Sequence, residues 1–170
     1  MTRKFVTFSL LRRRICESSF SNWNDIFLAK LQSDGELAWA YGYGGAGFND
    51  EGRALAVDML GNVFMTGRFY FNYFRRATDF DPTSGTGLHF NNGRFDFFVS
   101  AFGPDGSYGW TKTIGGSSDD LSNDIVVANG QLFVGGDFRG NVDFNPDSGT
   151  DTKSASSSPS AFLSEYKLLH

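Results

Sequence analysis

The chain has 170 residues, of which 40% are hydrophobic and 16% aromatic, with 21 glycines and a net charge of −4. This composition is too apolar for a disordered protein and too interrupted by glycine for long helices. The single cysteine excludes an intrachain disulfide and a cysteine metal cluster. The acidic balance argues against nucleic acid as the main partner, and no apolar run approaches the roughly 18–20 residues of a membrane span.

The first 22 residues are predicted to form an N-terminal arm outside the fold. Residues 1–16 contain five Lys or Arg residues and no Asp or Glu. A basic start followed by an apolar stretch is typical of a signal peptide, but three arginines follow directly and no small-residue cleavage pattern appears. An organellar transit peptide is a further alternative, and the favoured interpretation is an arm outside the fold or a misplaced start codon in a gene fragment.

The chain then repeats itself. Residues 25–45, DIFLAKLQSDGELAWAYGYGG, align without gaps on residues 96–116, DFFVSAFGPDGSYGWTKTIGG, so that Trp39 coincides with Trp110. Segments 53–69 and 123–138 are also alike, as are DFDPTSGT at 79–86 and DFNPDSGT at 143–150, and a partial third copy starts at Ser160. Internal repetition of this kind determines the fold class.

Each unit is predicted to contain four short antiparallel strands. In the first copy Leu37, Trp39 and Tyr41 alternate with small residues, which is the periodicity of a strand. The full copy contains the strands RALAVD, NVFMTGRF, DFFVSAF and SYGWTKTIG. Asn129-Gly130 is a dipeptide suited to a two-residue type I′ turn. Four-stranded sheets that stack face to face form a β-propeller, so an all-β propeller is the predicted fold.

These segments resemble the bacterial SBBP (seven-bladed β-propeller) repeat family, over roughly residues 24–168. The chain departs from the repeat at the insertion YFNYFRRAT, at the shortened turn VANGQ and in the eroded last copy. The resemblance implies a scaffold of secreted or cell-surface bacterial proteins without defined catalytic residues. The predicted units are a half blade at 23–46, a full blade at 52–116 and an incomplete blade at 123–168.

Little more than two blades are present, whereas closed propellers use roughly four to eight. The chain is therefore interpreted as a gene fragment, or else as a partner that assembles with other copies of itself. Terminal units of this kind are expected to expose apolar faces and unpaired strand edges, which promote association.

The insertion provides the strongest ligand-binding candidates. Its aromatic and basic side chains could stack on sugar rings or bind an acidic partner. The alternative, which we favour, is that alternate aromatic residues extend a strand and are buried. The residues concerned are Tyr70, Phe71, Tyr73, Phe74, Arg75 and Arg76.

Calcium is the one cofactor that the sequence suggests, and only weakly. Asp79 and Asp81 in one copy, and Asp143 and Asn145 in the next, place oxygen ligands two residues apart. Ca²⁺ prefers clustered oxygens from closely spaced loop residues, but the spacing is not that of an EF-hand. Turns capped by these side chains are the favoured interpretation, and no cofactor is expected.

No catalytic constellation is present in the sequence. His89 and His170 are the only histidines, and His89 is predicted to lie on a solvated connecting loop. No zinc-protease, nucleophile-elbow or phosphate-loop motif occurs. The repeated residues Trp39 and Trp110 are predicted to pack in the core. The predicted function is a non-enzymatic recognition, adhesion or structural scaffold, with a glycan or a protein as partner. A carbohydrate-active hydrolase module and a spacer without a ligand are the alternatives.

Overall fold

The computed structural model describes residues 25–44, 50–70, 77–156 and 158–168, and these ranges contain thirteen β-strands and no helix. The chain is therefore all-β, as the alternating patterns predict. The strands are β1 (Ile26–Leu31), β2 (Leu37–Tyr43), β3 (Glu51–Val57), β4 (Val63–Tyr70), β5 (Thr78–Asp79), β6 (Leu88–His89), β7 (Phe95–Phe102), β8 (Tyr108–Ile114), β9 (Leu121–Ala128), β10 (Gln131–Phe138), β11 (Asn141–Asp143), β12 (Thr152–Ser154) and β13 (Ser160–Lys167).

Three antiparallel sheets follow one another along the chain. Strands β1 and β2 form the N-terminal hairpin. Strands β3, β4, β7 and β8 form the central sheet in that spatial order, so each strand pairs with its neighbour in the repeat. Strands β9, β10 and β13 form the C-terminal sheet, with β10 in the middle. The four strands predicted for the full copy are thus the four strands of the central sheet.

The turns follow from residues that accept a left-handed backbone. Gly35 and Gly106 occupy equivalent hairpins with φ of 89° and 91°. Asn129 and Gly130 have φ of 52° and 73°, which is the type I′ geometry predicted for the β9–β10 hairpin. In the β7–β8 hairpin, Asp105 Oδ1 accepts a hydrogen bond from the Ser107 backbone N–H at 3.0 Å.

The central sheet is buried on both faces, because each face packs against a neighbouring sheet. One face contributes Val63, Met65 and Phe98 to a core shared with Ile26 and Leu28 of the N-terminal hairpin. The opposite face contributes side chains to a second core, shared with the C-terminal sheet. This second core includes Phe64, Phe97, Val99, Ile125, Leu132 and Val134. The two-sided apolar pattern of β7 is therefore explained by burial on both faces.

The connections between the middle strands contain short ladders that the sequence analysis did not predict. Strand β5 pairs with β6, and β11 pairs with β12, so both copies of the connection fold back on themselves. His89 was predicted on a solvated loop, but it lies in β6 and is half-buried. Within the part of the chain that the structure describes, we find no helix with the length and apolar character of a membrane span.

Candidate functional site: sheet junctions and the Trp110 cleft

A buried aspartate occupies the same place at both sheet junctions. Asp50 directly precedes β3 of the central sheet, and Asp120 directly precedes β9 of the C-terminal sheet. They are 2% and 0% exposed. Asp50 Oδ1 accepts the Tyr70 backbone N–H at 2.9 Å, and Asp120 Oδ1 accepts the Arg139 backbone N–H at 3.0 Å. Asp120 Oδ2 also accepts the Gly116 N–H at 2.6 Å. These carboxylates connect the entry of each sheet to the end of its second strand.

A second repeated aspartate faces each junction from the third strand of the unit. Asp96 is 1% exposed, and its carboxylate accepts the backbone N–H groups of Asn92 and Gly93 at 2.6 and 3.3 Å. A Cβ at Gly115 would lie 2.3 Å from Asp96 Oδ1, and one at the equivalent Gly44 would lie 2.7 Å from Asp25 Oδ1. Glycine is required at Gly115 because the buried Asp96 carboxylate occupies that space, whereas Asp25 is exposed and can move away from Gly44.

The environment of these carboxylates opposes ionisation. Burial raises the pKa of Asp96 to about 7, and the charge of Asp120 acts in the same direction. Burial also raises the pKa of Asp120 and of Asp25. The sequence analysis did not identify this role of the aspartates. The alignment of the two copies contains the signal, because it places Asp50 on Asp120 and Asp25 on Asp96.

The calcium candidates form side-chain-capped turns. Asp79 Oδ1 accepts the Asp81 and Gly87 backbone N–H groups at 3.1 and 2.8 Å. The second copy repeats this geometry, because Asp143 Oδ1 accepts the Asn145 and Asp151 N–H groups at 3.0 and 2.8 Å. Asp81 caps Thr83, and Asn145 caps Asp147, in the same way. Among the described residues, no group of three or more His, Cys, Asp or Glu side chains could hold a metal ion.

The insertion candidates are only partly described. Phe71, Tyr73, Phe74, Arg75 and Arg76 lie outside the described residues. Tyr70 ends β4, is half-buried and packs its ring edge-on against Phe95 at 4.9 Å between centroids. His89, in the neighbouring ladder, packs edge-on against Phe80 at 5.6 Å, and burial lowers its pKa. Its Nδ1 lies 3.3 Å from Thr113 Oγ1.

The two repeated tryptophans have different surroundings. Trp39 is half-buried and covers the β7–β8 hairpin, where a Cβ at Gly106 would lie 3.0 Å from the indole. Trp110 is also half-buried and packs against Phe64 at 6.3 Å between centroids. Instead of covering a hairpin, Trp110 lines an open cleft. Both tryptophans therefore pack against a core with only part of the side chain, and they differ in what the remaining part faces.

This Trp110 cleft has a volume of about 840 Å³. It lies between the central sheet, the loop at 144–151 and the end of β13. Among the described strands, β13 pairs only with β10, so its other edge has no strand partner. The cleft has an aromatic lining with charged residues around it: Phe64, Trp110, Phe144, Tyr166, Asp58, Lys112, Asp147, Asp151, Glu165 and Lys167.

The repeat explains why a cleft lies there. Strand β13 corresponds to β7, because SAFLSEY aligns on DFFVSAF. In the central sheet, β8 pairs along the edge of β7 and places Trp110 opposite Ala101. The C-terminal sheet has no described strand in the equivalent position. The cleft therefore borders an unpaired strand edge and contains a partly exposed indole ring.

Comparison with family models and with curated proteins gives no match for this chain. Only the geometry of the described residues therefore indicates what this chain can bind. The buried aspartates accept backbone hydrogen bonds and join the sheets. The Trp110 cleft provides an aromatic surface, charged side chains and an open strand edge, which are suited to binding a ligand.

Proposed function

We propose that the chain is a segment of an SBBP-type β-propeller and acts as a non-enzymatic recognition and adhesion scaffold of a secreted or cell-surface bacterial protein. The observation that carries the proposal is the recurrence of one junction. Asp50 accepts the backbone N–H of Tyr70, and Asp120 accepts that of Arg139, at equivalent positions and nearly equal distances. Equal junctions between successive sheets are what a propeller of repeated blades requires.

The Trp110 cleft supports recognition of an extended polypeptide. A peptide that adds to a sheet edge gains main-chain hydrogen bonds, and pockets for its alternate side chains supply specificity. The free edge of β13 offers the main-chain groups, and Trp110 and Tyr166 offer the apolar contact. The central sheet shows the strand pairing expected in such a complex, because β8 pairs along the equivalent edge of β7.

The carboxylates around the cleft are less suited to hydrolysis. A glycoside hydrolase requires one carboxylic acid and one carboxylate that flank the bond to be cleaved. Each of the four cleft carboxylates is instead close to a polar partner, and Asp58 Oδ2 accepts a hydrogen bond from Asn62 Nδ2 at 2.7 Å. Asp147 pairs with Lys112, Asp151 with Lys153, and Glu165 with Gln131. These contacts favour a binding surface over a hydrolase module.

The proposal is tested by supplying a peptide that can pair with β13 as the fourth strand of the C-terminal sheet. The probe is a fluorescently labelled peptide with the sequence of residues 103–114, GPDGSYGWTKTI, and a scrambled peptide is the control. We expect saturable binding measured by anisotropy, weakened at least tenfold by Trp110→Ala. Trp39→Phe is the matched control, because the equivalent Trp39 covers Gly106 instead of the cleft, and it should leave the affinity unchanged.

Competition with a panel of neutral oligosaccharides separates the alternatives. Displacement of the peptide by a sugar, or sugar binding without peptide binding, would contradict strand recognition and favour a glycan partner. Binding of neither probe would leave a structural spacer. Turnover of a generic glycosidase substrate, abolished by Glu165→Gln, would contradict a non-enzymatic scaffold.

A further inference from the structure

The outer face of the C-terminal sheet carries exposed apolar side chains. Val126 is 50% exposed and Leu163 is 74% exposed, and half-buried Phe133 lies between their strands. Phe133 pairs with Val126 across β9, and Gly135, two residues further along the same face, pairs with Leu163 across β13. We define Val126, Phe133 and Leu163 as the front patch. The opposite face of this sheet, with Leu132 and Val134, packs on the central sheet.

The same positions are buried in the central sheet. The repeat places Val126 on Ala56, Phe133 on Phe64, and Leu163 on Val99. Phe64 and Val99 are 4% and 1% exposed, and Ala56 packs partly buried against the same core. Within this molecule, therefore, the front positions of one sheet are covered by the next sheet. The front patch has the composition of a covered face, although no described residue covers it.

The N-terminal hairpin offers the complementary surface. Its inner face, with Ile26 and Leu28, packs on the central sheet. Its outer face carries half-buried Phe27 and exposed Ala40, on strands paired so that Phe27 lies opposite Gly42 and Ala29 opposite Ala40. We define Phe27 and Ala40 as the back patch; Ala29, opposite Ala40, is itself buried at 7% exposure. The gapless alignment places Phe27 on Phe98, which is fully buried against the N-terminal hairpin.

The internal interfaces specify how these patches fit together. We call the face of each sheet that corresponds to the front patch its front, and the opposite face its back. Phe97 on the front of β7 stacks on Phe162 on the back of β13, with 4.9 Å between ring centroids. Phe162 aligns with Phe98 and Phe27, and Phe97 aligns with Ala161. The front of every sheet thus receives the back of the following one. The same contact would bring Ala161 of one chain against Phe27 of another.

We infer that two copies of this chain associate head to tail, with the front patch of one copy packed on the back patch of the other. The contact is heterologous, so each bound copy leaves one front patch and one back patch available. Such an interface extends into a ring when its rotation closes and into a filament when it does not. The inference goes beyond the proposed recognition role and uses none of the aromatic residues of the Trp110 cleft.

Complementary variants test the inference. Sedimentation of the full chain between about 1 and 100 μM should give an average mass that increases with concentration. Leu163→Asp removes the front patch and Ala40→Asp removes the back patch, and each should weaken self-association at least tenfold. An equimolar mixture of the two variants should form dimers and nothing larger, because one intact front patch and one intact back patch remain in the mixture.

The controls make every outcome informative. Met59 is a fully exposed apolar residue at a hairpin tip, and Met59→Asp should associate like the unaltered chain. Trp110→Ala should also associate normally, which separates this interface from peptide binding. Melting curves confirm that the variants fold, and Val126→Asp provides a second front variant. A monomer at 100 μM, a mixture that stays monomeric, or normal association of the Ala40→Asp variant alone would overturn head-to-tail packing.

Discussion

The hydroxyl oxygens of Thr66 and Ser122 lie 2.7 Å apart in the buried interface between the central and C-terminal sheets. Both residues are 0% exposed. Thr66 Oγ1 also lies 2.6 Å from the Phe98 carbonyl oxygen, and Ser122 Oγ lies 2.9 Å from the Gly67 carbonyl oxygen. The two hydroxyl protons can make two of these three contacts at a time, and in every such arrangement Ser122 forms at least one hydrogen bond to the central sheet. The sheet interface is therefore specified by polar groups as well as by apolar packing.

We expect Thr66→Val to destabilise the chain by about 1–3 kcal/mol, because it removes the contacts of the Thr66 hydroxyl with the Phe98 carbonyl and with Ser122, which keeps only the Gly67 carbonyl. Ser122→Ala should have a similar effect. The double variant should cost less than the sum of the two, by about 0.5–3 kcal/mol, because both changes remove one shared interaction. Urea denaturation of the four proteins measures this coupling.

The Ser100–Thr111 pair provides a control for that cycle. Its hydroxyl oxygens also lie 2.7 Å apart, but both residues belong to the central sheet. The losses of unfolding free energy caused by Thr111→Val and by Ser122→Ala should therefore be additive in the double variant. Additive behaviour of Thr66→Val and Ser122→Ala would show that the hydroxyl contact does not connect the two sheets.

Stability should decrease as the pH rises from 5 to 8. Burial raises the pKa of Asp96 to about 7 from 3.8, so the folded protein binds this proton more tightly than the unfolded chain. The resulting stabilisation is complete below pH 4 and is lost as the pH rises through 7, with an upper limit of about 4 kcal/mol. Asp96→Asn should reduce this pH dependence in urea titrations, and Asp120, whose pKa burial also raises, contributes with the same sign.

His89 acts in the opposite direction and must be controlled. Burial lowers its pKa, so its contribution is lost as the pH falls below its ordinary value of 6.5. The His89→Gln background removes this effect and should make the decrease between pH 5 and 8 steeper. A slope that persists unchanged in the His89→Gln, Asp96→Asn double variant would assign the pH dependence to other groups.

The glycines of the two equivalent hairpins should differ in their tolerance of alanine. Gly35→Ala meets no atom within 4 Å and should cost about 1 kcal/mol, because only its φ of 89° is unfavourable. Gly106→Ala has the same backbone cost, and its Cβ lies 3.0 Å from the Trp39 ring. We expect Gly106→Ala to cost about 1–3 kcal/mol more in guanidinium titrations.

Removing the indole tests the cause of that difference. In a Trp39→Ala background, Gly106→Ala should cost the same as Gly35→Ala, because the crowded ring is absent. If Gly35→Ala and Gly106→Ala destabilise the unaltered chain equally, Trp39 does not crowd the β7–β8 hairpin. Trp39 and Trp110 would then not differ in covering a hairpin.

Sequence patterns predict the all-β fold and the strands of the central sheet because these depend on local alternation and turn residues. NVFMTGRF and DFFVSAF become β4 and β7 with boundaries that shift by one residue. The short ladders β5–β6 and β11–β12 could not be predicted in the same way. Their strands have two or three residues, too few to show a period, and they depend on pairing across a connection.

The candidate site was less predictable, since its residues meet only through tertiary structure. Asp120 resembles any loop aspartate in the sequence, but its partner Arg139 N–H lies 19 residues away. Trp110 and Trp39 occupy identical repeat positions, and only the neighbouring hairpin determines which indole is covered. The cleft lies beside the edge of β13 that no described strand pairs with, and no local pattern encodes such an edge.

Calcium should leave the melting temperature unchanged when it is added after chelation. Asp79 Oδ1 and Asp143 Oδ1 each accept two backbone N–H groups, so these oxygens already cap their turns. A ligand that binds only the folded state stabilises it in proportion to the logarithm of its concentration above the dissociation constant. Differential scanning fluorimetry at up to millimolar calcium measures the effect.

Paired substitutions at Asp79 distinguish a turn cap from a metal ligand. Asp79→Asn retains Oδ1 as an acceptor and should preserve stability, whereas Asp79→Ala removes two hydrogen bonds and should cost about 1–2 kcal/mol. Neither result should depend on calcium. An increase of several degrees at millimolar calcium, lost in the Asp79→Asn, Asp81→Asn variant, would show that the carboxylate charge binds metal. The capped turn would then be the metal-free form of a calcium site.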